Sequence, residues 1–145
     1  AKDVKEERLN HAVLKNLKKY AKAALNEDRL SDAMMMYSIA ISMASPPDAA
    51  PFFCKRSRVM YRLGMYTEAL HDAWAAIQRE PTYTGAYQRL IEAAAETKVG
   101  SFPPYLGAFL AMALSQCTEG DCGLSSTVET LEVIIKEKLD PGRQG

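Results

Sequence analysis

The sequence predicts an all-α chain built from helix pairs that recur along its length, and three observations carry that expectation. In Tyr61-Arg-Leu-Gly-Met-Tyr-Thr-Glu-Ala-Leu-His-Asp-Ala-Trp-Ala-Ala-Ile-Gln-Arg-Glu-Pro81, Gly64 turns the chain. Tyr66, Ala69, Ala73 and Ala76 then follow at helical spacing, so small side chains fall where two antiparallel helices approach closely. The pattern also recurs: Ala33, Tyr37 and Ala40 repeat the spacing of Ala69, Ala73 and Ala76 at an offset of 36 residues (33 to 69). Finally, prolines punctuate the pairs. Pro81 stands where a second helix must stop, and Ser45-Pro-Pro-Asp48 breaks the chain before the next pair.

These residues and their period resemble the tetratricopeptide repeat, a helix-turn-helix unit of about 34 residues. The resemblance implies a right-handed α-solenoid of three antiparallel helix pairs, the third irregular, followed by a C-terminal capping helix. It implies one domain over residues 1–139, with repeats near 14–47, 50–83 and 84–117, a capping helix near 126–139 and a flexible tail at 140–145. It also implies a binding module rather than an enzyme.

Taken in order, the first helix runs from Asp3, with Asp3 as a cap and Glu6 and Glu7 in the favourable first turn. Val4, Leu9, Val13, Leu14, Leu17, Ala21 and Ala24 form its apolar stripe. The part before Leu14 exceeds the repeat, and it either packs over the end of the array as a cap or extends into solvent; capping is the first expectation, because terminal repeats need a polar outer cover. Residues 26–28 form the turn, Ser31 caps the second helix, and that helix ends near Met43. In repeat two, Thr67 caps the second helix and Trp74 packs between repeats. In repeat three, Tyr87, Leu90 and Ile91 take first-helix core positions. Its second helix starts late, at Ser101-Phe-Pro-Pro104, and finishes near Cys117. Ser126-Thr-Val-Glu129 has the spacing of a capping box ahead of a terminal helix.

At 145 residues and 48% hydrophobic content, the chain suits one domain with a sizeable core. Its 18 basic and 18 acidic residues cancel, so an electrostatic argument must rest on where charges lie. The longest apolar run, residues 105–114, is about half of what a bilayer span needs. Cys54, Cys117 and Cys122 are an odd number, which suits a reducing compartment, cytoplasmic or nuclear, better than a disulfide framework. The chain starts with Ala1 rather than Met, which reads as a fragment or a processed product.

In the family, first helices line the concave side of the stack. Carried onto this sequence, the inward positions are Lys15, Lys18, Lys22 and Asn26 from repeat one, Cys54, Lys55, Arg58, Tyr61 and Arg62 from repeat two, and Gln88, Arg89 and Glu92 from repeat three. One exposed lysine needs no ligand to explain it. Several cations converging from different helices repel one another, so an anionic ligand explains them better than stability does. We therefore expect Lys15, Lys18, Lys22, Lys55, Arg58, Tyr61, Arg62 and Arg89 to bind an acidic peptide or one ending in a free carboxylate. The co-chaperone subset of the family clamps the Glu-Glu-Val-Asp tails of heat-shock chaperones with five residues. Lys18 and Arg89 match that clamp, whereas Lys22 and Lys55 replace its two asparagines and Gly85 replaces its third-repeat lysine. A phosphorylated segment would suit the same cations.

Two other classes of function compete. Basic residues interleaved with Tyr20, Tyr61 and Tyr87 are compatible with RNA or single-stranded nucleic acid, although those tyrosines also fall on repeat core positions. A scaffold that assembles through a convex face near Met34-Met-Met36 is the other. Catalysis has little support, since His11 and His71 lie far apart and no cysteine neighbours a histidine in a nucleophile or metal motif. Cys117, Asp121 and Cys122 lack the further ligands a metal needs, and no glycine cluster precedes a helix. We expect no cofactor and no metal.

Overall fold

The computed structural model describes residues 4–97, which form five helices: α1 (Val4–Asn26), α2 (Leu30–Met43), α3 (Pro46–Arg62), α4 (Tyr66–Arg79) and α5 (Thr84–Glu96). Short turns join them, so α1 pairs with α2, α3 with α4, and α5 opens a third pair. The second helix expected for that pair, the helix near 126–139 and the tail at 140–145 lie outside the described residues, as do Asp3, Cys117 and Cys122.

The alanines set the spacing between helices. Ala33 and Ala40 on α2 and Ala69, Ala73 and Ala76 on α4 are fully buried, as the 36-residue repeat requires. Two clusters make up the core. The smaller joins Ala21 and Ala24 of α1 to Ala33 and Tyr37 of α2 and Val59 of α3. The larger joins α3, α4 and α5 through Phe53, Cys54, Leu70, Ile77, Tyr87, Leu90 and Ile91, with half-buried Trp74 packed against it.

The two intra-pair turns are copies of each other. Asp28 has φ 62° and Gly64 has φ 79°, again 36 residues apart (28 to 64). In each, the amide one residue later donates back across the helix end, Arg29 to the Ala24 carbonyl and Met65 to the Met60 carbonyl, both at 2.8 Å. The preceding amides also pair, Asp28 to Leu25 and Gly64 to Tyr61. This is the left-handed helix stop that satisfies terminal carbonyls, and glycine occupies it without steric cost, whereas Asp28 does not.

Several expectations about helix ends need correction. Ser31 and Thr67 are not caps: α2 starts at Leu30 and α4 at Tyr66, with Arg29 and Met65 at the cap positions and no side-chain cap bond in either. The left-handed stop brings the chain into the next helix two residues too early for those hydroxyls to serve. The break before the second pair falls at Ala44 and Ser45, but Pro46, Pro47 and Asp48 are not outside helix: the two prolines form the first turn of α3, where no intrahelical amide donor is needed. Repeat two therefore begins about four residues before the expected position 50. The extension of α1 is not a buried cap but the solvent-exposed alternative. Val4 and Leu9 are 60% and 64% exposed, and nothing in α1 before Ala21 is fully buried.

One charged contact ties three helices together. Arg56 on α3 grips Asp72 on α4 with two bonds, Nε to Oδ2 at 2.6 Å and Nη2 to Oδ1 at 2.8 Å. Its Nη1 donates to Ser38 Oγ on α2 at 3.1 Å, and that hydroxyl donates to the Met34 carbonyl. The guanidinium groups of Arg56 and Arg79 lie 5.4 and 4.4 Å from the centre of the Phe53 ring.

Candidate functional site

α3 packs on both α4 and α5, but it does not pack on α1 to a comparable extent, and the space between α1 and α3 is a groove of about 730 Å³. Helical phase decides what faces it. On α1, His11, Lys15, Lys18, Lys22 and Asn26 recur at steps of three and four, with Leu14 and Leu25 beside them. On α3, Pro51, Lys55, Arg58 and Arg62 do the same, with Phe52 beside them. Tyr37 from α2, Asp48 from the first turn of α3, and Tyr83 complete the wall. From His11 to Asn26 the α1 side is about 22 Å long.

Six of the expected ligand residues thus meet in one place: Lys15, Lys18, Lys22, Lys55, Arg58 and Arg62. Among the described residues, Lys15, Lys18, Lys22, Lys55 and Arg58 have no ion-pair partner, while Arg29, Arg56, Arg62 and Arg89 each hold a carboxylate. Arg62 Nη2 reaches Asp28 Oδ1 at 2.7 Å, so the end of the groove nearest the turn is partly neutralised. Among the described residues Asp48 is the only acid in the lining, and it accepts a 2.7 Å hydrogen bond from Ser45 Oγ. An uncompensated cluster of this kind attracts anions and repels cations.

Two expected residues do not face this groove. Tyr61 shares the face of Cys54, seven residues earlier, and that face turns toward α5 rather than α1. Its ring meets Tyr66 edge-on at 5.3 Å, and burial together with the nearby Glu96 and Glu92 carboxylates pushes its phenol up. Arg89 is also outside the lining and is paired with Glu92 at 3.0 Å. Of the remaining inward positions, Asn26 lines the groove, whereas Cys54, Gln88 and Glu92 do not. Cys54 is buried; burial pushes its thiol up, and Arg89 and Lys55 pull it back only in part.

At Gly85, where the co-chaperone clamp has lysine, an added Cβ would lie 3.5 Å from the Tyr83 ring and 3.6 Å from Cys54 Sγ. Those are ordinary contacts, so the missing ammonium reflects the residue type and not a lack of room. The tyrosine positions also divide. Tyr87 is core, with its hydroxyl donating to the Pro81 carbonyl at 2.8 Å, whereas Tyr20 is 57% exposed and is not a core residue. Tyr20 misses the core because it lies one residue before Ala21, on the outer side of α1. Of the three methionines at 34–36, Met34 and Met36 pack on the smaller cluster, and only Met35 is open, beside Ile39 one turn on.

The sequence did not point to His11, Leu14, Leu25, Asp48, Pro51, Phe52, Tyr37 and Tyr83 as groove residues. His11, Leu14 and Pro51 were findable by extending the same helical faces one turn. Tyr37 and Tyr83 come from other elements and left no such signal. Among the described residues no His, Cys, Asp or Glu group is arranged to hold a metal, and no helix is long and apolar enough to cross a membrane.

No family model matches the chain. It is 36% identical over 78 residues to a rice protein (Oryza sativa subsp. japonica) named Protein SGT1 homolog; the match takes in 54% of this chain but only 21% of that protein. In structure it is similar to the crystal structure of the Sgt2 TPR domain from Aspergillus fumigatus, at a TM-score of 0.66 and 22% identity, over 90% of this chain and 82% of that one. With its paired helices, its alanine spacing and its duplicated left-handed turns, the chain has the tetratricopeptide-repeat fold.

Proposed function

We propose that this chain is a protein-interaction adaptor domain whose α1–α3 groove binds an acidic peptide segment or one ending in a free carboxylate. The observation that carries this reading is the set of five unpaired cations, Lys15, Lys18, Lys22, Lys55 and Arg58, around one groove in a chain of net charge zero. Leu14, Leu25, Phe52 and Tyr83 line the same groove, so a peptide with apolar side chains between its carboxylates suits it. The two likenesses support a binding role: one neighbour is titled the Sgt2 TPR domain, and in the family the clamp subset binds chaperone tails. Here the clamp is altered. Lys18, Lys22 and Lys55 stand on the groove, Arg89 is tied to Glu92, and Gly85 supplies no charge. The positive charge is concentrated in repeats one and two, which favours side-chain carboxylates along a segment over a single terminal one. An intracellular, cytoplasmic or nuclear, partner fits this role.

The test is fluorescence anisotropy with a labelled peptide ending in Glu-Glu-Val-Asp, its amidated form and a single-stranded oligonucleotide, each at two salt concentrations. We expect both peptides to bind, with amidation weakening binding only slightly and added salt weakening it strongly. Lys18→Glu and Lys55→Glu should each weaken it with unchanged melting, whereas Lys19→Glu, exposed but off the groove, should change it little. Peptide affinity that is the same in all three variants overturns the reading. Oligonucleotide binding alone would transfer the groove to nucleic acid. Self-association without ligand would point to Met35 and Ile39 instead.

A further inference from the structure

Tyr37 is the one groove residue whose position the repeat pattern explains and whose chemistry it does not. Its ring is core: the residue is 3% exposed and packs in the cluster with Ala21, Ala24, Ala33 and Val59. A buried tyrosine ordinarily gives its hydroxyl a partner, as Tyr87 does with the Pro81 carbonyl at 2.8 Å. The Tyr37 hydroxyl takes part in no hydrogen bond. No side-chain polar atom among the described residues is both buried and unpaired, so this hydroxyl keeps its access to the groove it lines. Arg58, with no carboxylate partner, lines the same groove from α3. The two groups are close enough to feel each other: burial pushes the Tyr37 phenol up, and the Arg58 charge pulls it down.

We infer that the Tyr37 hydroxyl and the Arg58 guanidinium together form an oxyanion subsite in the groove, in which Tyr37 donates a hydrogen bond to one carboxylate or phosphoryl oxygen of the bound segment. This rests on the groove reading above and names a contact from a second helix, α2, where the expected contacts came only from first helices. A neutral phenol is a hydrogen-bond donor that a guanidinium does not repel, and a permanent cation beside it selects an anionic acceptor over a neutral carbonyl. An amine or a second guanidinium is excluded by the same charge. The ring is held by packing on four residues, so its hydroxyl is positioned before the ligand arrives and little ordering entropy is lost on binding.

The test compares the wild-type chain with Tyr37→Phe, Arg58→Gln and the double variant. The probes are two fluorescein-labelled octapeptides, one bearing four glutamates and the other a phosphoserine in place of one glutamate. Because the hydroxyl has no partner in the free protein, Tyr37→Phe should melt within about 2 °C of wild type. It should bind the probes about tenfold more weakly, as expected on losing a charge-assisted hydrogen bond. The double variant should lose less than the product of the two single losses, since both groups serve one oxyanion. A larger loss for the phosphoserine peptide assigns the site to phosphoryl oxygens, and a larger loss for the glutamate peptide assigns it to carboxylates. Unchanged affinity in Tyr37→Phe, when the wild type binds, overturns the subsite alone. So does a melting point several degrees lower, which would place the hydroxyl in an internal bond. A wild type that binds neither peptide overturns the groove reading and the subsite with it.

Discussion

Replacing Asp72 with alanine should destabilise the fold more than any change in the groove. Its carboxylate, 9% exposed, takes two hydrogen bonds from Arg56, at 2.6 and 2.8 Å. Hydrogen bonds to charged groups contribute about 1.5–3 kcal/mol, and removing one partner of a buried ion pair costs about 3–5 kcal/mol because the other charge is stranded. Arg56 is not wholly stranded here. It keeps Ser38 Oγ and the Phe53 ring, and its side chain is 20% exposed, so water recovers part of the loss. The expected cost of Asp72→Ala is therefore about 2–4 kcal/mol, or roughly 8–16 °C in melting temperature. Urea unfolding followed by far-ultraviolet circular dichroism measures it, alongside Arg56→Met and the double variant. The double variant should be more stable than additivity predicts by about 1–2 kcal/mol, since no lone charge remains. An Asp72→Ala cost under about 1 kcal/mol, or strict additivity, would show that the pair is as weak as a surface salt bridge.

Other outcomes follow from the same geometry. Gly64→Ala should cost about 1 kcal/mol by urea unfolding through backbone strain alone, since φ is 79° and an added Cβ meets nothing within 4 Å; a neutral result would mean the turn relaxes. Asp28→Gly, at the matching turn, should change stability by less than about 1 kcal/mol, because relief of strain offsets the loss of an exposed ion pair. It should also tighten binding of the acidic peptide by freeing Arg62, and unchanged anisotropy would argue against Arg62 as a contact. Cys54, buried and with its thiol pushed up, should react slowly with iodoacetamide at neutral pH and gain reactivity only above the usual thiol range. Mass spectrometry of the Cys54 peptide reads this, and labelling as fast as in urea would contradict it.

Much of the fold was legible because close helix approach demands small side chains at fixed intervals, and Ala33, Ala40, Ala69, Ala73 and Ala76 all lie where that interval puts them. Helix ends were less legible. Ser31 and Thr67 have the right chemistry for caps, but the backbone stop at Asp28 and Gly64 had already fixed where the next helix begins. An aspartate does not announce a left-handed turn as a glycine does, and only the backbone shows that Asp28 stands in the place of Gly64. Six of eight ligand positions fell on the groove because a helical face is periodic. Tyr61 and Arg89 missed it because α3 has a second face, turned to α5, and the family register does not say which of two neighbours a residue meets. Tyr37 carried no signal at all, since its spacing reads as core and only the missing hydroxyl partner reveals another role.

The division of the core into two unequal clusters has a thermodynamic consequence for the groove. In a stack where each helix pair leans mainly on its neighbours, local stability follows the contacts made at each joint. The smaller cluster has five buried members against fifteen in the larger, so it buries less apolar surface. The α1 wall, which carries Lys15, Lys18 and Lys22, therefore stands on the smaller of the two clusters, while the α3 wall shares the larger cluster with α4 and α5. Hydrogen exchange should find α1 opening before α3 and α4. A ligand bridging the two walls ties the soft one to the firm one, so by linkage its affinity and the protection of the α1 amides rise together.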